Sequence, residues 1–249
     1  MTRLAVFSDI HANLPAMQAV RGHIEAGGYD AIYCLGDLGG YASQPNEVQS
    51  EISAMGCPTI LGNYDEGVAF HHNDCGCHYV KPFDIEMSNT SFLWTREHTT
   101  EESKVWLRTL PREIRLTVEG HRVLLCHGSP RSTTEYLFEN RSEAFLRQFT
   151  PGGSDDAQAD VIVFGHTHVP YHRQVDGVHF VNSGSVGRPK DGDPRAGYVE
   201  IRFSSGAIEV QVHRVEYDVE LTCSRLVVAG LPEYFARYLR TAGNTPAEP

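Results

Sequence analysis

Short apolar runs, each followed closely by Asp, His or Asn, set the rhythm of this chain. Leu4–Phe7, Ala31–Leu35, Thr59–Leu61 and Val161–Phe164 are continuous and largely β-branched, the pattern of strands covered on both faces. Between the first three lie the helix-like segments Leu14–Ala26 and Pro45–Met55, the second opened by Ser43 and Pro45. Strands alternating with helices in this way predict βαβ units and a mainly parallel sheet. Asn73–Pro82 reads as a loop, and Ile85–His98 and Glu101–Leu110 read as helices, the latter ended by Pro111.

The later pattern is that of hairpins. Arg115–Val118 and Arg122–Cys126 flank Glu119-Gly120-His121, and Tyr171–Val175 and Val178–Val181 flank Asp176-Gly177. Tyr198–Phe203 and Ile208–Val215 flank Ser204-Ser205-Gly206, with clear alternation in the final strand. Helical segments start at Val219 and Pro232. The polar, Pro-containing stretch from Thr241, residues 243–249 above all, predicts a frayed tail. Without internal repeats or low-complexity linkers, a single domain over residues 1–249 is expected, built as an α/β fold of two packed mixed sheets flanked by helices.

Composition narrows the class. With 249 residues, 41% hydrophobic and 21% charged, the chain can bury a substantial core. No apolar run approaches the roughly 20 residues that span a bilayer. Met-Thr-Arg followed by LAVFS is too short and too quickly acidic for a secretory signal. A cytoplasmic protein without membrane attachment is the expectation. Six cysteines in such a chain do not suggest a disulfide scaffold, and Cys34 and Cys126 read as buried thiols. A net charge of -11 argues against binding extended nucleic acid. It does not argue against a small phosphorylated or nucleotide-like substrate, because two divalent cations on two carboxylates leave a local charge of about +2. Oligomeric state leaves no mark in the sequence.

The chemistry lies in five fragments: SDIHAN (Ser8–Asn13), GDLGGY (Gly36–Tyr41), GNYDE (Gly62–Glu66), CHGSP (Cys126–Pro130) and GHTHVP (Gly165–Pro170). Asp9 and His11, two residues apart in an extended or turning segment, can grip one cation. Asp37 offers a carboxylate able to bridge two cations about 3.5–4 Å apart. Asn63 offers an amide oxygen without charge; His127, His166 and His168 offer imidazoles. Each alone has an ordinary reading, the Asp as a helix cap and the His as a hydrogen-bonded structural residue. Seven together at strand ends, where open α/β sheets assemble their sites, point to a two-metal hydrolase.

The ordered set DxH, GD, GN, an isolated His before Gly, and GHTH runs from Leu4 to about Gly197. It resembles the calcineurin-like metallophosphoesterases, and most closely their small bacterial and archaeal phosphodiesterase branch. The resemblance implies a four-layer αββα sandwich with a dinuclear site. Asp9, His11 and His168 would hold one cation, Asn63, His127 and His166 the other, and Asp37 would bridge them. It implies a phosphodiesterase or phosphatase in which a hydroxide between the metals attacks phosphorus in line, with charge neutralised by the cations. Asp37, Asn63, Tyr64 and His127 form the expected catalytic group. Mn²⁺ is the expected occupant, with Fe or Zn admissible. A noncatalytic metal-binding scaffold of the same fold is the alternative; degraded ligands would favour it, and all seven positions are filled.

One position departs from the family. Many members carry His after the GN asparagine, where this chain has Tyr64. A phenol with a pKa of about 10 is a poor base at neutral pH. Tyr64 then either donates a hydrogen bond in the site or packs beside it, and good leaving groups are favoured. Asp65 either orients a ligand or caps a helix starting near Glu66. Asn13 offers an anion site at a helix start, or a plain cap. In the Gly-rich loop Asn182–Arg195, Arg188 or Arg195 is available to a phosphate, unless the loop is only a turn. Tyr41 and Tyr136 can stack on an aromatic group or pack. Ser129 lacks a nucleophile elbow. Phe70–Tyr79 gathers three His and two Cys, read as a mobile loop at the site mouth, with a third, zinc-like site the weaker alternative. Cys75 and Cys77 would be redox-sensitive if exposed.

Overall fold

The structure, a computed structural model, describes residues 1–204 and 206–244; Ser205 and most of the expected tail lie outside the described residues. Chain order begins β1 (Thr2–Phe7), α1 (Leu14–Gly27), β2 (Ala31–Cys34), α2 (Pro45–Met55), α3 (Asn63–Ala69), α4 (Pro82–His98) and α5 (Glu101–Leu107). It continues with β3 (Glu113–Val118), β4 (His121–Cys126), α6 (Glu143–Leu146), a 3₁₀ turn at Arg147–Phe149 and β5 (Val161–Phe164). The last elements are β6 (Tyr171–Val175), β7 (Val178–Asn182), β8 (Ala196–Ser204), β9 (Ala207–Val215), α7 (Val219–Val228) and α8 (Glu233–Thr241).

Alternate residues of β1 serve two different cores. Leu4 and Val6 face an apolar layer shared with Val123, Leu125, Val161 and Val163 of the other sheet. Ala5 and Phe7 face the helices, against Met17, Val20 and Leu226. The same two-residue period puts Ile162 and Phe164 of β5 on the far side of the second sheet, with Leu146 and Phe149. The sheets run β2-β1-β8-β9 and β3-β4-β5-β7-β6. Both are mixed: β1–β2, β4–β5 and β5–β7 are parallel and the remaining neighbours antiparallel. The expected α/β sandwich of two mixed sheets is therefore the fold. Its fourth layer is thin, since α6, the 3₁₀ turn and irregular chain cover the second sheet.

Two local expectations are corrected. Thr59–Leu61 forms a single parallel bridge, Cys34 with Thr59, because Ile60 N–H donates to Cys34 while Leu61 N–H donates to Pro111. Directly after it comes α3, a seven-residue helix not anticipated as starting at Asn63. Among the described residues no helix is long and apolar enough to cross a membrane.

Candidate metal centre

Five strand-end residues bend the chain backwards at one place. Asp9, His11, Asp37, His166 and His168 have φ of 54°, 51°, 56°, 63° and 62°. Left-handed backbone at a residue with a Cβ costs roughly 1–3 kcal/mol and persists only where the surroundings impose it. Here they do. Asp9 N–H donates to Gly36, and Ile10 and His11 N–H both donate to the Asp37 carbonyl, at 3.0, 2.9 and 3.0 Å. The Asp65 carboxylate accepts from Asp37, Leu38 and Gly62 N–H at 2.7, 2.9 and 3.1 Å. Asp65 thus fills both expected roles, capping α3 and fixing Asp37. Asp9 and His11 do share one cluster, and the segment that carries them is the turning one, in left-handed backbone.

Close approach needs glycine at two points. A Cβ on Gly62 would collide with the Asp37 carboxylate, and one on Gly187 with the Ile10 carbonyl.

The seven candidate ligands converge, all buried. Asp9, His11 and His168 form one group and Asp37, His127 and His166 another, each with ligand atoms within 4.8 Å of one another. His168 Nε2 lies 3.2 Å from Asp9 Oδ1 and 3.2 Å from His11 Nε2. Asp37 Oδ2 faces both groups, 3.8 Å from His11 Nε2 and 3.4 Å from His127 Nε2. Asn63 joins the second group, its Oδ1 3.0 Å from His127 Nε2.

The outer partners decide which way each ligand presents its lone pair. Nδ1–H of His11, His127 and His168 donates to the carbonyls of Gly39, Leu35 and Arg188, at 2.8, 2.7 and 2.6 Å. Nε2 of each is then the lone pair facing inward. His166 is turned round, Nε2 meeting the Thr134 carbonyl at 3.2 Å, which leaves Nδ1 as its lone pair. Asn63 gives its amide N–H to the Cys75 carbonyl at 2.7 Å, so its oxygen faces inward. Asp9 Oδ1 is buried with no hydrogen-bond partner. Such a set fits cations and fits little else.

The electrostatics agree. Burial pushes the Asp9 carboxyl up, yet His168, His127 and His11 together hold it well below the usual range. Burial drives His11 and His166 well below an ordinary histidine and His168 down to about 4. His127 goes the other way: burial opposes it, but Asp37 and Asp9 raise it to about 10.

Residues 2–205 match the calcineurin-like phosphoesterase superfamily domain. The chain belongs to that superfamily. An uncharacterized protein of Methanocaldococcus jannaschii is 31% identical over 255 residues, covering 95% of this chain and 96% of its own. The crystal structure of a metallophosphoesterase from Sphaerobacter thermophilus is similar at 29% identity and a TM-score of 0.76, covering 97% of this chain and 99% of that one. A hypothetical protein from Pyrococcus horikoshii shares the fold at 22% identity and a TM-score of 0.82, over 98% and 100% of the two chains.

Around the ligands of this calcineurin-like phosphoesterase the pocket is nearly closed. Tyr41, Tyr64, Cys77, Tyr79, Tyr136 and Lys190 wall it in. A groove of about 540 Å³ lies to one side and reaches the centre through Asn63 and Thr134. Size and chemistry point to different places, and chemistry decides, since the groove itself holds no converging ligand set. Tyr64 gives its backbone N–H to Asp37 Oδ1 at 2.8 Å, while its buried hydroxyl donates to Ser91 at 3.0 Å. That geometry favours packing over proton transfer. Asn13 is turned from the centre: its oxygen accepts from Ala16 N–H and Thr222, and its amide donates to Gly187 and Tyr217. It caps α1 and has no atom left for a substrate.

The weaker sequence candidates fall out as follows. Ser129 sits in a turn, accepting from Arg131 and Ser132 N–H. Arg195 pairs on the surface with Asp193. Among the described residues the Cys75–Cys77 region joins no metal-ligand group. Tyr136 packs on His166 with ring centroids 4.1 Å apart. Sequence reasoning missed Lys190 and Tyr79 in the pocket wall; a lone Lys two residues after Arg188 in the Gly-rich loop was the available signal.

Proposed function

We propose that this protein is a phosphoesterase, a phosphodiesterase or phosphatase, that uses two divalent cations held by Asp9, His11 and His168 on one side, Asn63, His127 and His166 on the other, and Asp37 between. The observation that supports the reading is the convergence of seven buried carboxylate, amide and imidazole groups whose outer nitrogens are tied to backbone carbonyls. Such a metal pair supplies an acidified water and neutralises charge on phosphoryl oxygens. The chain's own part is positional. Asp37 keeps one oxygen on the Tyr64 N–H and turns the other to both groups. Asn63 and His127 complete the reacting side, and their backbone tethers hold the lone pairs in place. Burial pushes the Tyr64 hydroxyl well above an ordinary phenol, which leaves it unsuited to protonate a leaving group. Substrates with good leaving groups follow.

Carboxylate, amide and imidazole donors suit Mn²⁺, with Fe or Zn as competitors. Six free cysteines fit a cytoplasmic setting. A small phosphorylated substrate is the class this reading implies, approaching from the groove that reaches Asn63. The test is hydrolysis of bis- and mono-p-nitrophenyl phosphate with added Mn²⁺, in the native protein and in Asp37→Asn. Metal-dependent turnover that collapses in the variant is expected. Turnover of neither ester with any divalent metal would sink the reading, and full activity in Asp37→Asn would remove this site from it.

A further inference from the structure

Arg188 is a buried charge with nothing to neutralise it. It is 5% exposed, and its guanidinium carbon lies 3.8 Å from the centroid of Tyr41 and 3.9 Å from that of Tyr238. Both rings make close cation–π contacts with the guanidinium. Nη1 is fully buried without a hydrogen-bond partner, and no carboxylate pairs with the side chain among the described residues. The contrast with Arg3, Arg131 and Arg214 is plain, since each of those meets a carboxylate.

Lys190 repeats the pattern two residues on. It lines the closed pocket beside His11, His166 and His168. Its backbone N–H donates to the His168 carbonyl, at 3.3 Å, while its ammonium has no carboxylate partner among the described residues. Arg188 reaches the same centre through its carbonyl, which accepts from His168 Nδ1 at 2.6 Å. Tyr41 connects the two, lining the pocket on one side and stacking on Arg188 on the other. Unpaired buried cations are costly unless a ligand brings the counter-charge. A flat carboxylate would be satisfied by the arginine fork alone; a tetrahedral phosphoryl group has oxygens for both the fork and the lysine point charge.

We propose that Arg188 and Lys190 form a second phosphate subsite beside the metal centre, so that the preferred substrate carries a second phosphoryl group next to the one that reacts. The proposal rests on the phosphoesterase reading above. Its substrate class is that of diphosphates and bisphosphorylated small molecules rather than simple monoesters.

The test uses inhibition of bis-p-nitrophenyl phosphate turnover at fixed free Mn²⁺. Inorganic phosphate is compared with methylenediphosphonate, whose P–C–P bridge resists hydrolysis. Methylenediphosphonate is expected to inhibit the native protein at least about tenfold more tightly than phosphate. That ratio should shrink to about threefold or less in Lys190→Met, and also in Arg188→Lys, which keeps the charge but lacks the fork. Lys190 is only part-buried, so its variant carries the result if Arg188→Lys fails to fold, as thermal unfolding will show. Equal inhibition in the native protein, or an unchanged ratio in a folded variant, overturns the subsite while turnover leaves the phosphoesterase reading intact. No turnover by the native protein with any divalent metal overturns that reading and the subsite with it.

Discussion

The two ligand groups have nearly the same chemistry and quite different surroundings. Asp9, His11 and His168 are tied closely to backbone. The Asp9 carbonyl accepts from Ser185 Oγ at 2.7 Å and from Gly187 N–H at 3.0 Å, and the two imidazoles rest on Gly39 and Arg188 carbonyls. Asn63 and His166 lean instead on segments that border the groove, while His127 rests on the Leu35 carbonyl just after β2. Asn63 is held by Cys75 and Cys77, and His166 by Thr134, and Asn63, Cys75 and Thr134 all line the 540 Å³ groove. Ligand identity sets what can bind; the outer partners set how readily it leaves. The first group should act as a fixed anchor, and the second as the exchangeable side that meets substrate.

The largest effect should come from the residue proposed to serve both. Asp37→Asn takes charge from each group at once, and kcat/KM on bis-p-nitrophenyl phosphate is expected to fall by roughly a thousandfold, about 4 kcal/mol. A loss no greater than that of Asn63→Ala would mean that Asp37 serves one group only, and the bridge would be wrong.

Metal retention should then separate the groups. On titration with a chelator, followed by bound metal per chain, one equivalent should leave about 10–100-fold more readily than the other. Asn63→Ala should abolish only the labile equivalent, whereas His168→Ala should cost the tight one. Simultaneous loss of both in each variant would erase the distinction between anchor and exchangeable side.

A smaller effect is expected at Asp65. Its carboxylate takes three backbone N–H groups, and an amide in its place would turn N–H toward N–H. Asp65→Asn should lower stability by about 1–3 kcal/mol in urea unfolding. It should also weaken the Asn63 side more than the Asp9 side, because Asp65 caps the helix that begins with Asn63. Unchanged stability would show that the turn holds without it.

The same division marks what the sequence made legible. Asp9, Asp37, His127 and His166 follow β1, β2, β4 and β5, whose apolar runs are read easily; β1, β4 and β5 are buried on both faces over their last four residues, and β2 ends in buried Cys34. The left-handed turns that aim Asp9, Asp37 and His166 were not readable, since residues with a Cβ seldom take that conformation without partners elsewhere in the chain. The surroundings of Asn63 were harder still. α3 carries Gly67 at mid-helix, which weakens the helical signal, yet a Cβ there would press on Phe92 and the Asp74 carbonyl. Thr59–Leu61 looked like a strand but divides its hydrogen bonds between Cys34 and Pro111. Arg188 was visible as a candidate, while its second ring contact depends on Tyr238, fifty residues further on. Local pattern reports the strands; packing between distant segments builds the walls of the site.

Acid offers the mildest way to tell anchor from exchangeable side. Behind the first group, on the outer face of β8, Glu200 is buried and accepts from Arg3, Arg202 and His213 at 2.9, 2.6 and 2.9 Å. Burial opposes its charge, but these donors outweigh burial and bring it down to about 2. An unfolded glutamate titrates at about 4.3, so the unfolded chain binds the proton first as pH falls. The stabilisation from Glu200 is complete above about pH 5 and drains away between there and about pH 2. Urea midpoints of the native protein should decline through that window, and Glu200→Gln, lower at neutral pH, should decline less. Because Arg3 lies on β1 and His213 on β9, this tie steadies the frame carrying Asp9, so the tight cation equivalent should loosen in step with the midpoint. Parallel declines in the two proteins would place the acid-sensitive contact elsewhere and leave the anchor independent of Glu200.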